Sequence, residues 1–169
     1  MSKINYWIVS ADIGKWKAEL GAYFNTWEDW KEPISYNFYG DNSKPKRRNF
    51  TKEIKVDDIA IIYAKAKGLI GEGRFINVIP DDKLIIQPVS IWRRPISLTE
   101  IKNNSILNKI YVSANNFHAS FSKCSEEAYK EVVQLKCISV HNEDIKSYVK
   151  KLISAKNIIL RGAPGTGKT

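Results

Sequence analysis

Cysteine and histidine are scarce in this chain of 169 residues: Cys124, Cys137, His118 and His141 are all it has. Neither cysteine lies in a CxxC pair, and structural zinc sites usually bring two of their ligands as a close pair. The four therefore do not read as a metal centre, and the thiols read as reduced and partly buried. Two histidines without a partner pattern give no basis for histidine-based catalysis. Long apolar runs are missing too. Nothing approaches the roughly 20 apolar residues of a membrane span. The opening MSKINYW has no basic region followed by a long apolar segment, which argues against a secretory signal. A cytoplasmic protein with no membrane partner is expected. Internal repeats and low-complexity segments are absent as well.

What is present is a foldable composition with a surplus of positive charge. With 43% hydrophobic and 27% charged residues, the chain should bury a core. Its net charge is +9, of which the residues from Asn142 onward carry +4. Such an excess favours polyanions, above all nucleic acid. The sharpest cluster is Lys44, Lys46, Arg47 and Arg48 around Pro45. It reads equally as a phosphate contact, which would make binding salt-sensitive, and as a solvated loop.

Aromatic residues concentrate between Tyr23 and Tyr39, where Tyr23, Phe24, Trp27, Trp30, Tyr36, Phe38 and Tyr39 share seventeen positions. Glu28, Asp29, Lys31, Glu32 and Pro33 mark the same stretch as a loop, and loops lie on the surface. Trp27 and Trp30 beside acids suggest rings that stack on something planar such as a base. The acids argue against a buried continuation at Trp27. The alternative is a loop folded over the sheet with its rings tucked beneath it.

The remaining pattern is alternately strand-like and helical. INYWIVSA, residues 4–11, reads as a strand, after which Asp12 can cap a helix carrying Ile13, Trp16 and Leu20 on one face. Val56-Asp57-Asp58 reads as a turn and the apolar run Ile59–Ala64 as a central strand. Leu69–Val78 and Lys83–Trp92 follow as strands. Gly71 and Gly73 mark a bulge or close backbone approach, and Pro88 a bulge or edge position. Three successive strands favour an α/β (α+β) fold: a small, curled, mostly antiparallel β-barrel with flanking helices. A helix at Leu98–Asn103, a strand at Ile110–Ser113, an amphipathic helix capped by Ser125 and another from Asn142 complete the reading.

Two motifs bear on chemistry. Gly162-Ala163-Pro164-Gly165-Thr166-Gly167-Lys168-Thr169 is a complete GxxxxGKT phosphate loop after the strand-like Asn157–Leu160. Gly162, Gly165 and Gly167 would let backbone N–H groups surround a phosphate, Lys168 would reach the β/γ oxygens, and Thr169 would bind Mg²⁺. No acidic strand for the metal follows, so this fragment is expected to hydrolyse nothing and to need no cofactor of its own. The second motif, Pro80-Asp81 with Glu100-Ile101-Lys102, matches the loose PD…ExK pattern of Mg²⁺-dependent nucleases. That chemistry needs carboxylates converging on a metal, whereas Asp81 sits in a turn and Glu100 in a helix behind Pro95.

Residues 5–133 resemble an EVE domain of the PUA superfold, a relative of the YTH readers of methylated bases. The resemblance rests on Tyr6-Trp7-Ile8-Val9-Ser10, Asn25-Thr26-Trp27, and Arg48-Asn49-Phe50 with Val56-Asp57-Asp58-Ile59. It also rests on Ile62-Tyr63 with Gly71-Glu72-Gly73, on the passage Trp92 to Lys102, and on Ser125–Tyr129. Ala155-Lys156-Asn157 through the phosphate loop resembles the start of the motor in McrB-like AAA+ GTPases of modification-dependent restriction systems. The resemblances imply a reader over 1–137, a linker and helix over 138–157, and the start of a motor over 158–169. They further imply double-stranded DNA with a modified base as ligand, read after base flipping. In the full-length protein they imply a motor ring using GTP or ATP with Mg²⁺, and a separate nuclease subunit. Trp27 would stack on the base, and Asp12 or the Ser10 region would bond its edge, with Asp12 equally readable as a helix cap. The second cage tryptophan of YTH domains has no counterpart between Phe75 and Lys83, so Trp16, Trp30 or Tyr36 must supply that wall. Lys44, Lys46, Arg47, Arg48, Arg93 and Arg94 would meet the DNA backbone. A PUA-like RNA-binding module is the other non-enzymatic reading.

Overall fold

The computed structural model describes residues 4–22, 24–37, 53–65, 67–79, 83–117 and 120–137. The basic cluster Lys44 to Arg48, Asp81, the helix expected from Asn142, segments 138–157 and 158–169, and with them the phosphate loop, lie outside the described residues.

Strand β1 (Tyr6–Ala11) is apolar on both sides, and Trp7, Ile8, Val9 and Ala11 are all buried. A strand of that kind belongs in the middle of a sheet covered on both faces. It pairs parallel with β3 (Ile59–Ala64) and antiparallel with β6 (Phe121–Cys124). Strand β3 is followed by β4 (Gly68–Ile79) and β5 (Lys83–Ile96), each antiparallel to the one before. A short β2 (Ile34–Asn37) closes onto β5, giving the order β2-β5-β4-β3-β1-β6. The curled, mostly antiparallel sheet with flanking helices is the α+β architecture expected from the sequence.

Side chains alternate between two cores, as a period of two requires. Trp7, Val9, Ala60, Ile62, Phe75, Leu84 and Ile86 face one side. Ile8, Ile61, Tyr63, Leu69, Trp92 and Ile96 face the other. The second side is covered by helices α2 (Leu98–Asn103), α3 (Ser105–Ser113) and α4 (126–137) through Ile101, Leu107, Tyr111, Ala128 and Val132. Each begins on a side-chain cap. The Ser97 hydroxyl and the Glu100 carboxylate form a capping box, Asn104 accepts from the N–H groups of Ile106 and Leu107, and Ser125 accepts from Ala128. Residues 110–113 are the end of α3 and not the strand expected from Ile110-Tyr111-Val112. The Asn104 cap and the burial of Leu107 and Tyr111 on one face override the β propensity of those residues.

One buried carboxylate ties the start of the chain to the sheet. Asp58, 1% exposed, accepts hydrogen bonds from the backbone N–H of Asn5 and of Lys55 and from Trp7 Nε1, each at 2.9 Å. Asp57, just before it, sits in the left-handed region at φ 73°.

Candidate nucleic-acid interface

The first core is roofed by helix α1 (Ile13–Leu20) and by the aromatic stretch. Asp12 starts α1 by accepting from the Lys15 N–H at 2.9 Å, and Gly21 ends it in the left-handed conformation at φ 67°. Trp16 points from this helix into the core at 3% exposure. Residues Trp27–Asp29 then form one turn of 3₁₀ helix, closed by the Trp30 N–H donating to the Trp27 carbonyl at 3.1 Å. In that geometry positions three apart eclipse one another. Trp27 and Trp30 therefore enter the core together while Glu28 and Asp29 face water. This corrects the expectation that the flanking acids keep Trp27 on the surface: its exposure is 4%, and that of Trp30 is 2%. The same stretch also contributes β2, where the sequence reading had only loop.

The tryptophans meet edge to face. Trp16 lies 5.3 Å from Trp27 and 5.2 Å from Trp30 between ring centroids, at 82° and 80°. Phe24 completes the cluster, 5.7 Å from Trp27. T-shaped contacts of this kind add to the burial itself. Trp30 Nε1 donates to the Glu32 carbonyl at 2.9 Å, which fixes the ring. Its far edge lies over Gly73, where an added Cβ would come within 3.5 Å of Trp30 and 2.7 Å of Ile86. A register shift between Glu72 and Gly73 accompanies this contact, so the close approach and the bulge expected at this glycine are both present.

Of the sequence-derived pocket residues, the structure brings Trp16, Trp27 and Trp30 into one cluster. Ser10 is half-buried near the end of β1, its N–H donating to the Ser120 carbonyl at 3.0 Å. Asp12 is exposed and serves as the cap of α1. Tyr36 lies in β2. Arg93 is exposed, while Arg94 pairs with Glu100 at 2.9 Å. Glu100 is thereby committed to Arg94 and to Ser97. Burial works to raise its pKa, but the Ser97 hydrogen bonds and the Arg94 guanidinium outweigh it and hold the carboxyl below its ordinary value. It has the setting of a capping residue, not of a metal-binding nuclease carboxylate. Among the described residues no group of three or more His, Cys, Asp or Glu could hold a metal. No helix among them is long and apolar enough to cross a membrane.

Beside Trp30 runs an open groove of about 640 Å³, lined by Glu28, Trp30, Lys31 and the β5 stretch from Pro88 to Arg93. Small-molecule sites span about 300–1,000 Å³. Two lining residues carry buried polar atoms without a hydrogen-bond partner, Ser90 Oγ and Trp92 Nε1. Of this lining, the sequence reading had singled out Trp30 and Arg93 as site residues. Glu28, Lys31, Ser90 and Trp92 become neighbours only once the 3₁₀ turn lies against β5, and no spacing in the chain signals that.

Comparison with solved structures places the fold among known ones. A protein of Agrobacterium tumefaciens matches at a TM-score of 0.58 and 21% identity, covering 78% of this chain and 92% of that one. A Pseudomonas putida protein matches at a TM-score of 0.61 and 14% identity, covering 78% of this chain and 99% of that one. Human THYN1, crystallised in complex with 5-methylcytosine-containing DNA, matches at a TM-score of 0.55 and 17% identity, over 78% of this chain and 97% of that one. At such identities the likeness is one of fold. No protein-family model matches the chain, and no curated protein matches it either.

Proposed function

We propose that this chain is a DNA-binding specificity domain that recognises a methylated or hydroxymethylated base, flipped out of the duplex into an aromatic pocket. The observation that carries the reading is the fold shared with nearly the whole of a protein crystallised on 5-methylcytosine DNA. The net charge of +9 supports a polyanionic ligand, and the groove beside Trp30 supplies a concave surface next to an aromatic cluster. Flipping costs a few kcal/mol, which stacking and hydrogen bonds to the base edge must offset. Trp27, Trp16, Trp30 and Tyr36 are the rings proposed for the pocket, and Ser10 and Asp12 the groups for the base edge. Of the clustered Trp16, Trp27 and Trp30, it is Trp30 that lines the groove. Lys44, Lys46, Arg47, Arg48, Arg93 and Arg94 are proposed to meet phosphates. Residues 1–137 would then be a reader that targets a McrBC-type restriction complex. Gly162, Gly165, Gly167, Lys168 and Thr169 would open a motor that binds GTP or ATP with Mg²⁺, works as a ring and recruits a separate nuclease subunit.

The test is equilibrium binding to matched duplexes carrying 5-methylcytosine, 5-hydroxymethylcytosine, N6-methyladenine or no modification, beside a single-stranded RNA. An apolar pocket distinguishes one methyl group by about 1–3 kcal/mol, or roughly 10- to 200-fold. Preference of that order for one modified duplex is expected. Equal affinity for all duplexes, or tighter binding to the RNA, would overturn the reading.

A further inference from the structure

The two ends of the sheet differ in how their charges are used. Around the end where β1 and β3 begin, cations are paired: Arg74 with Asp57 at 3.7 Å, Lys123 with Glu53 at 2.8 Å, and Lys130 with Glu126 at 3.0 Å. At the other end Ala11 stands opposite Ala64, and both strands run on into exposed lysines. Lys65 and Lys67 lie in the turn from β3 to β4, closed by the Lys67 N–H donating to the Ala64 carbonyl at 3.0 Å. Lys15 lies in the first turn of α1, just beyond Asp12. Among the described residues no ion pair reaches any of these three lysines. The acids nearby are already engaged, Asp12 with the Lys15 N–H and Glu100 with Arg94 and Ser97.

Stability does not account for these placements. The helix dipole favours acids in a first turn, yet α1 has none there and carries Lys15 instead. The turn that bears Lys65 and Lys67 is held fast at its foot. Gly68 adopts φ 99°, and a Cβ there would meet the Ile96 carbonyl oxygen at 2.0 Å. Only glycine permits that approach, so the turn is clamped against the end of β5. Beneath it Tyr63 and Phe117 pack with ring centroids 4.9 Å apart, and both are buried. Neither ring is free to stack on a base, as binding to a single strand requires.

We infer that the end of the sheet where β1 and β3 finish grips the phosphate backbone of duplex DNA through Lys15, Lys65 and Lys67. Duplex DNA presents a negative charge about every 1.7 Å along its axis, so unpaired cations on neighbouring elements meet phosphates together. The inference rests on the reading of this chain as a DNA reader and adds to it the side from which the duplex arrives. Ser10 and Asp12, the groups proposed for the base edge, stand at this same end of β1. Backbone grip and base reading then share one end of the molecule. Contacts of this kind fix the position of the duplex and carry no base preference themselves.

The experiment measures binding of the whole chain to a duplex with a single 5-methylcytosine, to its unmodified twin and to a single-stranded RNA, over a series of salt concentrations. The variants are Lys15→Ala and the double change Lys65→Ala with Lys67→Ala. A control, Lys123→Ala with Lys130→Ala, removes the same charge from paired sites around the other end. The turn variant should lose roughly 10-fold in affinity for both duplexes, and Lys15→Ala roughly 3-fold. The salt dependence should become shallower by about 2 and about 1 in slope, because each lost phosphate contact removes about 0.9. Preference for the modified duplex should not change, and the control should stay within twofold of the wild type. The melting temperature of Lys15→Ala should hold or rise, since that lysine opposes the helix dipole. If the wild type prefers the modified duplex and the turn variant binds within twofold of it, the duplex is gripped elsewhere, although the reader assignment stands. If the wild type shows no preference but the turn variant loses binding to both duplexes, the grip stands and the modified-base reading falls. A control that loses as much as the turn variant would reduce the effect to net charge and overturn the inference. A loss confined to the RNA would overturn it in favour of a single strand.

Discussion

The two faces of the sheet are built by different means. One is covered by three helices, each started by a side chain within its own few residues: Ser97 with Glu100, Asn104, and Ser125. The other is covered by α1 and a single 3₁₀ turn, and three tryptophans from two elements hold one another there. Its other anchor, the Asp58 carboxylate, reaches donors 51 and 53 residues away along the chain. Order on the helical face is thus encoded locally and reinforced by packing. On the aromatic face it exists only once distant segments have met. The lesson is that the aromatic face should fail as a unit, and the helical face piece by piece.

The largest effect should come from Asp58→Ala. It leaves the Asn5 and Lys55 N–H groups and Trp7 Nε1 without their acceptor, at about 1–3 kcal/mol for each buried donor. A loss of about 3–6 kcal/mol in urea unfolding is expected, and a loss under about 1 kcal/mol would show that the face does not depend on this anchor. Next is Trp27→Ala, expected to cost about 3–5 kcal/mol as a core truncation. Trp27→Phe keeps most of the packing and is the variant on which to measure DNA affinity. A well-folded Trp27→Ala protein with unchanged melting temperature would return that ring to the surface and dissolve the contrast. On the helical face, Ser97→Ala removes one cap and should cost only about 1 kcal/mol.

The remaining predictions sharpen the contrast by chemistry. Glu100 has a lowered pKa in the folded chain, so the stability it contributes is present above its ordinary value of 4.5 and is lost as pH falls through the lower folded value. Acid titration of unfolding should therefore show a fall in stability below about pH 4.5 that Glu100→Gln diminishes. An identical acid profile in the variant would mean the capping box carries no charge-dependent stability. The smallest effect is kinetic. Burial pushes the Cys124 thiol up to about 12, while Cys137 is exposed. At pH 8 an alkylating reagent should label Cys137 in the native protein and reach Cys124 only after unfolding. Equal labelling rates would place the end of β6 at the surface.

This division also explains what could be read in advance. The run Ile59–Ala64, the meander after it, the helix Leu98–Asn103 and the cap at Ser125 were legible because periodicity, glycines and capping residues are local signals. Asp12 was legible as a cap for the same reason. The parallel pairing of β1 with β3, the strand β6 and the burial of Trp27 were not, since each depends on a partner far away in sequence. Ile110-Tyr111-Val112 misled because β-branched and aromatic residues favour strands unless a cap and a buried face hold them in a helix. Of the candidate site, the aromatic stretch announced itself by composition. The groove did not, because Lys31 and Ser90 become neighbours only in three dimensions.

The parallel pairing of β1 with β3 also bears on the order in which the domain comes together during synthesis. The β3–β4–β5 meander needs only hairpin-length connections and can form early. Strand β1 leaves the ribosome first, yet its neighbours in the sheet are β3 and β6, the latter ending at Cys124. At about 5–20 residues per second, it waits on the order of 6–25 s for that last strand. Throughout that interval Trp7, Ile8 and Val9, all fully buried in the finished sheet, have no completed core to enter. A nascent chain of this design exposes a central, two-sided apolar strand for longest, and non-local pairing of this kind folds slowly and is prone to aggregate. Its vulnerability to aggregation therefore belongs to the stage before β6 is made.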